Sequence, residues 1–210
     1  MRVIILLSAI VILFFSIIIH EISHGLMAER HGDPTARMMG RITLNPLPHI
    51  DPIGTLLLPG IMILMNLFGS SFPIFGWAKP VPINPQNLNN PKRDMMWVGM
   101  AGPAANLGIA IFFSIVFRLL VRGVSLGGII LFYGIAINLL LAFFNLIPIP
   151  PLDGSRILSG VLPERYSYRM NQIEPFGFII LIILLVGGAL NLIFSLILRL
   201  AALLTGMSMF

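Results

Sequence analysis

An apolar run from Val3 to Ile19 carries no charged residue and passes, with no intervening turn, into His20-Glu21-Ile22-Ser23-His24. Residues four apart share one face of a helix, so both imidazoles can present a ring nitrogen to a single ion. Glu21 stands one step around, placed to take a proton from a water on that ion. Val3–Ile19 alone rises about 25 Å through a hydrocarbon core of about 30 Å, which sets His20 just beneath the far lipid surface. An unpaired charge costs about 2.5–3.5 kcal/mol at the bilayer centre, so ionisable groups within a span mark pathways or active sites. The run therefore predicts a helix that enters the bilayer and carries a metal site for hydrolysis at its end.

Composition agrees. Of 210 residues, 57% are apolar and 10% charged, against about 25% charged in a soluble domain. The mean hydropathy is +0.97. These values predict an all-α polytopic membrane protein forming one membrane-embedded domain over residues 1–210, with the N-terminal run kept as a span. The net charge of +5 sits in loops between the apolar runs, which suits the positive-inside rule and argues against nucleic acid. There is no cysteine, which excludes disulfides, iron–sulfur centres and thiolate ligands, so a metal must be held by nitrogen and oxygen.

Along the chain, the first helix is expected over Val3 to about Glu29, stopped near Gly32-Asp33-Pro34. Arg41-Ile42-Thr43-Leu44 reads as a short strand in otherwise irregular backbone. Ile53–Phe68 is apolar but short and glycine-broken. Ser70–Asp94 is rich in proline and asparagine and is expected to be a loop with extended segments at the interface. Met95–Leu120 and Leu126–Ile147 are clear spans. Pro148 to Pro151 break the second at once, Ser155–Glu174 reads as a polar loop, and Phe176–Leu203 is the last span, continuous or broken at Gly187-Gly188.

A catalytic zinc usually takes three protein ligands and a water. Asp153 is the attractive third candidate, because it lies on proline-disrupted backbone that is tolerated at depth only beside protein or a cavity. For it to reach the histidines, the ends of the first helix and of Leu126–Ile147 must share a side, which requires Ile53–Phe68 to be re-entrant. Charge gives an independent check. In the re-entrant arrangement the metal side carries Arg30, Arg37, Arg41, Lys79, Lys92, Arg93, Arg156, Arg165 and Arg169, against Arg2, Arg118, Arg122 and Arg199 opposite. The metal then faces the cytoplasm. About four transmembrane helices, a re-entrant segment and short membrane-associated strands are the expected architecture.

Taken together, His20-Glu21-Ile22-Ser23-His24, Gly102-Pro103-Ala104-Ala105-Asn106, the stretch GRITLNPLPHIDPIG after the first helix, and the run Asn145 to Gly154 resemble the site-2 protease family of intramembrane zinc metalloproteases (peptidase family M50). The resemblance covers most of the chain in the family's order, without the PDZ or CBS domains that the family often adds. It implies one Zn2+ held by His20, His24 and Asp153, with Glu21 as general base. It also implies Asn145 near the metal, steadying the oxyanion, and Asn106 as a second catalytic asparagine. The implied activity is regulated intramembrane proteolysis in a prokaryotic cell membrane. Its partners would be a membrane-protein or transmembrane-peptide substrate and the lipid bilayer, and the oligomeric state is left open.

A buried helix shields its peptide bonds, so a substrate must be unwound locally. Pairing as an added strand with Arg41–Leu44 or Val81–Asn84 is the expected docking mode. Plainer roles are open to several residues. Asn138 reads as interhelical glue, His31 and His49 as interfacial side chains, and Trp77 and Trp97 as interfacial anchors. The competing function is a non-proteolytic metal-binding membrane protein, such as a zinc transporter or an inactive substrate-binding relative. A transporter would need acidic residues on both faces, which the sequence does not offer.

Overall fold

The structure, a computed structural model, describes residues 1–68, 76–123, 125–188 and 190–206. Helix α1 (Arg2–Arg30) ends where Gly32 adopts a φ of +107° ahead of Pro34, a left-handed turn that favours glycine. A short helix α2 (Thr35–Met38) and a 3₁₀ turn (Leu47–His49) follow. Asp51 then caps a π-helical turn (Pro52–Leu57), its carboxylate accepting from the N–H groups of Ile53 and Gly54 at 3.0 and 2.6 Å. That turn continues into α3 (Leu58–Leu67). After an extended segment and a 3₁₀ turn (Pro85–Asn87) come α4 (Pro91–Leu120), α5 (Leu126–Asn145), α6 (Asp153–Val161), α7 (Glu164–Val186) and α8 (Leu190–Thr205).

Helix α4 is central and touches α1, α5, α6 and α8. Ala110 and Phe117 of α4, Ile135 and Leu139 of α5, and Ile197 and Ala201 of α8 form the main apolar core. Small residues let these helices approach closely, which is how helices associate where lipid removes the hydrophobic drive. The outer faces are apolar and exposed, as at Leu6, Ile10, Phe112 and Leu119. In water that surface would be untenable, whereas in a bilayer it faces lipid. Three helices, α1, α4 and α5, are long and apolar enough to cross a membrane, so the chain is an all-α membrane protein.

His31 at the end of α1 pairs with Asp94 near the start of α4 at 3.1 Å. The segment between those helices therefore leaves and returns at one end of the bundle, as the charge distribution requires. At the other end, Arg118 of α4 donates to the carbonyls of Leu203 and Leu204 in α8.

Several expectations need correction. Ser155–Glu174 is helical in α6 and the first half of α7, apart from a break at Leu162-Pro163. Among the described residues no strand forms. Arg41–Leu44 is bent because local partners take its backbone: Arg41 N–H donates to Ala36 O, and His49 Nε2 bonds Thr43 O. Val81–Asn84 is extended but bonded to side chains. Of the two forms left open for the last span, the broken one is found, with the interruption at Gly187-Gly188, where Gly188 has a φ of +74°. Helix α4 starts at Pro91, earlier than Met95. Residues 70–75 of the expected loop lie outside the described residues.

Candidate metal centre

His20 and His24 lie on the face of α1 turned toward α4, and both are buried. Asp153 opens α6, brought back by the proline run that ends α5, and is buried too. Asp153 Oδ2 is 3.0 Å from His20 Nε2 and 3.2 Å from His24 Nε2, and the two Nε2 atoms are 3.0 Å apart. Among the described residues this is the one cluster of His, Asp or Glu side chains close enough to hold a metal.

The second ring nitrogens fix the chemistry of the first. His24 Nδ1 lies 2.6 Å from the carbonyl of Val98, which can only accept, so Nδ1 carries the proton and Nε2 presents a bare lone pair. His20 Nδ1 lies 2.6 Å from Asn106 Oδ1. Asn106 is oriented by its amide nitrogen, which donates to Asn138 Oδ1 at 2.9 Å and Ser16 O at 3.3 Å. Asn138 is anchored in turn, donating to Gly134 O at 2.9 Å. The Asn106 oxygen must therefore face His20, whose Nε2 is then also unprotonated. With both rings neutral, two lone pairs and a carboxylate oxygen converge on one point, an arrangement that a bound cation satisfies. Ligands at zinc bond lengths of 2.0–2.1 Å in a tetrahedron stand about 3.3 Å apart, close to the separations observed. The residues fit Zn2+.

The surroundings are built to the same end. A Cβ on Gly102 would lie 2.5 Å from His24 Nε2 and 2.6 Å from His20 Nε2, so only glycine lets α4 pass so close to the rings. A Cβ on Gly154 would lie 2.3 Å from Leu146 O, and glycine there lets α6 start against the end of α5. Glu21 Oε2 accepts from the N–H of Val81 at 2.8 Å. Arg41 is 5% exposed and donates to the carbonyls of Lys79 and Pro80 at 2.7 and 3.2 Å. Burial lowers its pKa, and the nearby negative charge of Glu21 opposes that shift. The extended segment is tied at its other end by Asp33, which accepts from Asn84 N–H at 2.7 Å, Asn87 Nδ2 at 3.0 Å, and Thr35 through both its N–H and its hydroxyl. Burial pushes the Asp33 carboxyl up, and these bonds outweigh it, leaving the pKa below its usual value.

A cleft of about 130 Å³ opens on the centre, lined by His20, Glu21, His24, Val81, Asn145 and Asp153 among others. Asn145 thus borders the cleft, with Nδ2 donating to Leu141 O at 3.0 Å. Asn106, fully buried, sits behind the His20 ring. His49 is fully buried on Thr43 O, 2.9 Å away, outside the metal cluster. Sequence reasoning missed the Val98 carbonyl, the grip of Val81 on Glu21, and Arg41. Only Arg41 left a signal, a charge inside a turn-rich stretch between apolar runs.

The model for "Peptidase family M50" matches residues 125–186. The "Putative zinc metalloprotease YwhC" of Bacillus subtilis is 37% identical over 185 residues, covering 84% of this chain and 79% of that protein. The "Putative zinc metalloprotease Rip2" of Mycolicibacterium smegmatis is 32% identical over 84% of this chain and 65% of its own. "Zinc metalloprotease MJ0392" of Methanocaldococcus jannaschii is 27% identical over 90% of this chain, which spans 44% of that protein. No solved structure matches.

Proposed function

This chain belongs to peptidase family M50, and from that premise we propose that it is a site-2-type zinc metallopeptidase, cutting peptide bonds in or beside the transmembrane segments of membrane-protein substrates. The observation that carries the reading is the convergence of His20 Nε2, His24 Nε2 and Asp153 Oδ2 near the C-terminal end of an apolar helix. The whole assembly is one membrane-embedded domain.

Zn2+ held by these three residues supplies a Lewis acid that activates a water and polarises the scissile carbonyl. Glu21 takes the proton of the attacking water and returns it to the leaving amide nitrogen. The Val81 N–H on Oε2 fixes the carboxylate and leaves Oε1 for that transfer. Asn145, on the cleft wall, offers an amide N–H to the developing oxyanion. Asn106 acts through His20, as a positioning residue that keeps the proton on Nδ1.

The substrate docks as an extended strand along Val81–Asn84. In extended backbone, alternate residues turn their N–H and C=O the same way. Val81 points its N–H at Glu21, so Ile83, two residues on, faces the same cleft. Among the described residues the Ile83 N–H has no partner, and Ile83 lines the cleft. Arg41–Leu44, bent and internally bonded, is not part of this edge. Ile83→Pro removes the free donor; unchanged cleavage would reject this docking mode.

A fourth crossing runs through α7 and α8, since Gly177 abuts Pro150 at the metal end and Leu204 meets Arg118 at the other. Pro52–Leu67 is re-entrant, and the metal end faces the cytoplasm of a prokaryotic cell. A cleavage assay in liposomes decides the function: wild type cuts a membrane-segment peptide, while Glu21→Gln and chelated protein do not. Equal activity in all three rejects the peptidase.

A further inference from the structure

Arg156 lies one helical turn beyond Asp153 on α6, on the wall of the metal cleft. It also lines a second cavity of about 460 Å³ beside it, with Lys92, Ser155, Ser159, Ser167 and Glu174 on the wall, and Pro151 and Arg156 common to both spaces. The Arg156 side chain is 41% exposed, and the nearest carboxylate oxygen to its guanidinium, Asp153 Oδ1, stands 3.9 Å away, beyond hydrogen-bond length. Among the described residues none of its N–H groups makes a hydrogen bond, so they are open to a ligand. Two of the three serine hydroxyls on this wall are donors already spent: Ser155 on Leu152 O at 2.7 Å and Ser167 on Ser159 O at 2.6 Å. Lys92 has one of its three donors on Leu162 O at 2.5 Å. What the cavity mainly offers a ligand is cationic N–H, beside the Ser159 hydroxyl, with Glu174 the one acidic side chain on its wall.

We propose that Arg156 is a specificity-determining residue, which receives a carboxylate of the substrate chain in the polar cavity beside the metal cleft. The planar fork of arginine matches a carboxylate with two parallel hydrogen bonds. The position fixes what that carboxylate can be. Sharing a wall with the metal cleft, Arg156 reads an acidic side chain within a few residues of the cut bond, or the new C-terminal carboxylate of the released product. Its β-carbon packs on α4, where a Cβ at Gly99 would come within 3.2 Å of it. The guanidinium is thus held at the boundary of the two spaces by its stem.

This inference rests on the peptidase reading, and the test separates the two. Full-length protein in liposomes is given peptides carrying Asp, Asn or Lys at each of several positions flanking the cleavage point. Wild type should prefer Asp over Lys at one of them by about five- to tenfold in kcat/KM, the size of a partly exposed charge pair. Arg156→Gln should flatten the preference and Arg156→Glu should invert it. In a second arm, the N-terminal product is added as inhibitor with a free or an amidated C-terminus. Arg156-dependent inhibition by the free acid alone identifies the product carboxylate as the ligand. Cleavage indifferent to charge, with equal inhibition by acid and amide, overturns the inference and leaves the peptidase standing; the wild-type peptides alone decide this, even if a variant fails to fold. An equal loss on all peptides in Arg156→Gln also overturns it, since Arg156 would then act on Asp153. No cleavage of any peptide by wild type removes the peptidase reading and this inference with it.

Discussion

Both histidines of the centre are held by acceptors at Nδ1, one a backbone carbonyl and one an amide oxygen that is itself fixed by two further bonds. Orientation of this kind sets ligand basicity, and its loss typically costs about 10–100-fold in metal affinity or activity. Asn106→Ala should therefore purify with less zinc and lose activity in that range, with partial recovery at excess zinc; metal content by mass spectrometry checks it. Gly102→Ala should do the same by a different route. Its methyl would meet both rings at 2.5–2.6 Å and push them from their shared point, so excess zinc should not restore it. The two histidines, Glu21 and Asp153 were legible because local spacing and a proline run advertise them. The Val98 carbonyl was not, because every residue has a carbonyl and only the crossing of α1 and α4 selects this one. Asn106 was legible as a motif residue, but its place behind His20 depends on the same crossing.

Among the elements, the extended segment 76–84 shows how a strand-like sequence becomes a strap. Pro80 and Pro82 remove two ladder donors, and the N–H groups of Val81 and Asn84 go to carboxylates on or just after α1. The strap stays open on the side of Ile83. Its anchorage is pH-dependent. Asp33 has a folded pKa below its unfolded value, so its contribution to stability is complete above about pH 4, the unfolded carboxyl range. That contribution is lost as pH falls through the depressed folded value. Asp33→Asn should lower the melting temperature at pH 7, and the difference from wild type should shrink below about pH 4; thermal melts across pH read this directly. Helix α6 was misjudged as loop for a reason of scale. Its polar face of Ser155, Arg156 and Ser159 reads as coil in a chain otherwise so apolar, yet Ile157, Leu158 and Val161 carry helical spacing on the rest of it. The prolines at 150, 151 and 163 mark where helices cannot run, and in the fold they bracket α6 rather than a loop.

At the scale of the whole molecule, the metal centre exists only because two helices deliver their C-terminal ends to one side. Helix α1 ends at Arg30 beside the start of α4, and α5 returns antiparallel to α4 to deliver Asp153. An extra crossing between α1 and α4 would separate histidines and aspartate by the thickness of the bundle. The basic residues distribute accordingly, with Arg30, Arg37, Lys92, Arg93 and Arg165 at the metal end and Arg2, Arg118 and Arg122 at the other. Under the orientation proposed above, the positive-inside rule turns the metal end to the cytoplasm. The chain has no cysteine, so single cysteines report sidedness without background. Cysteines placed at Arg37 and Arg165 should resist a membrane-impermeant thiol reagent in intact cells and react after lysis, whereas one at Arg122 should react in both. A cysteine at Leu64, within α3, decides the re-entrant segment, since a position that never emerges on the far side cannot be labelled from it. Labelling of that position from outside, with the positions of Arg37 and Arg165 protected, would mean that the segment passes through the bilayer and back, and the count of crossings would have to rise by two.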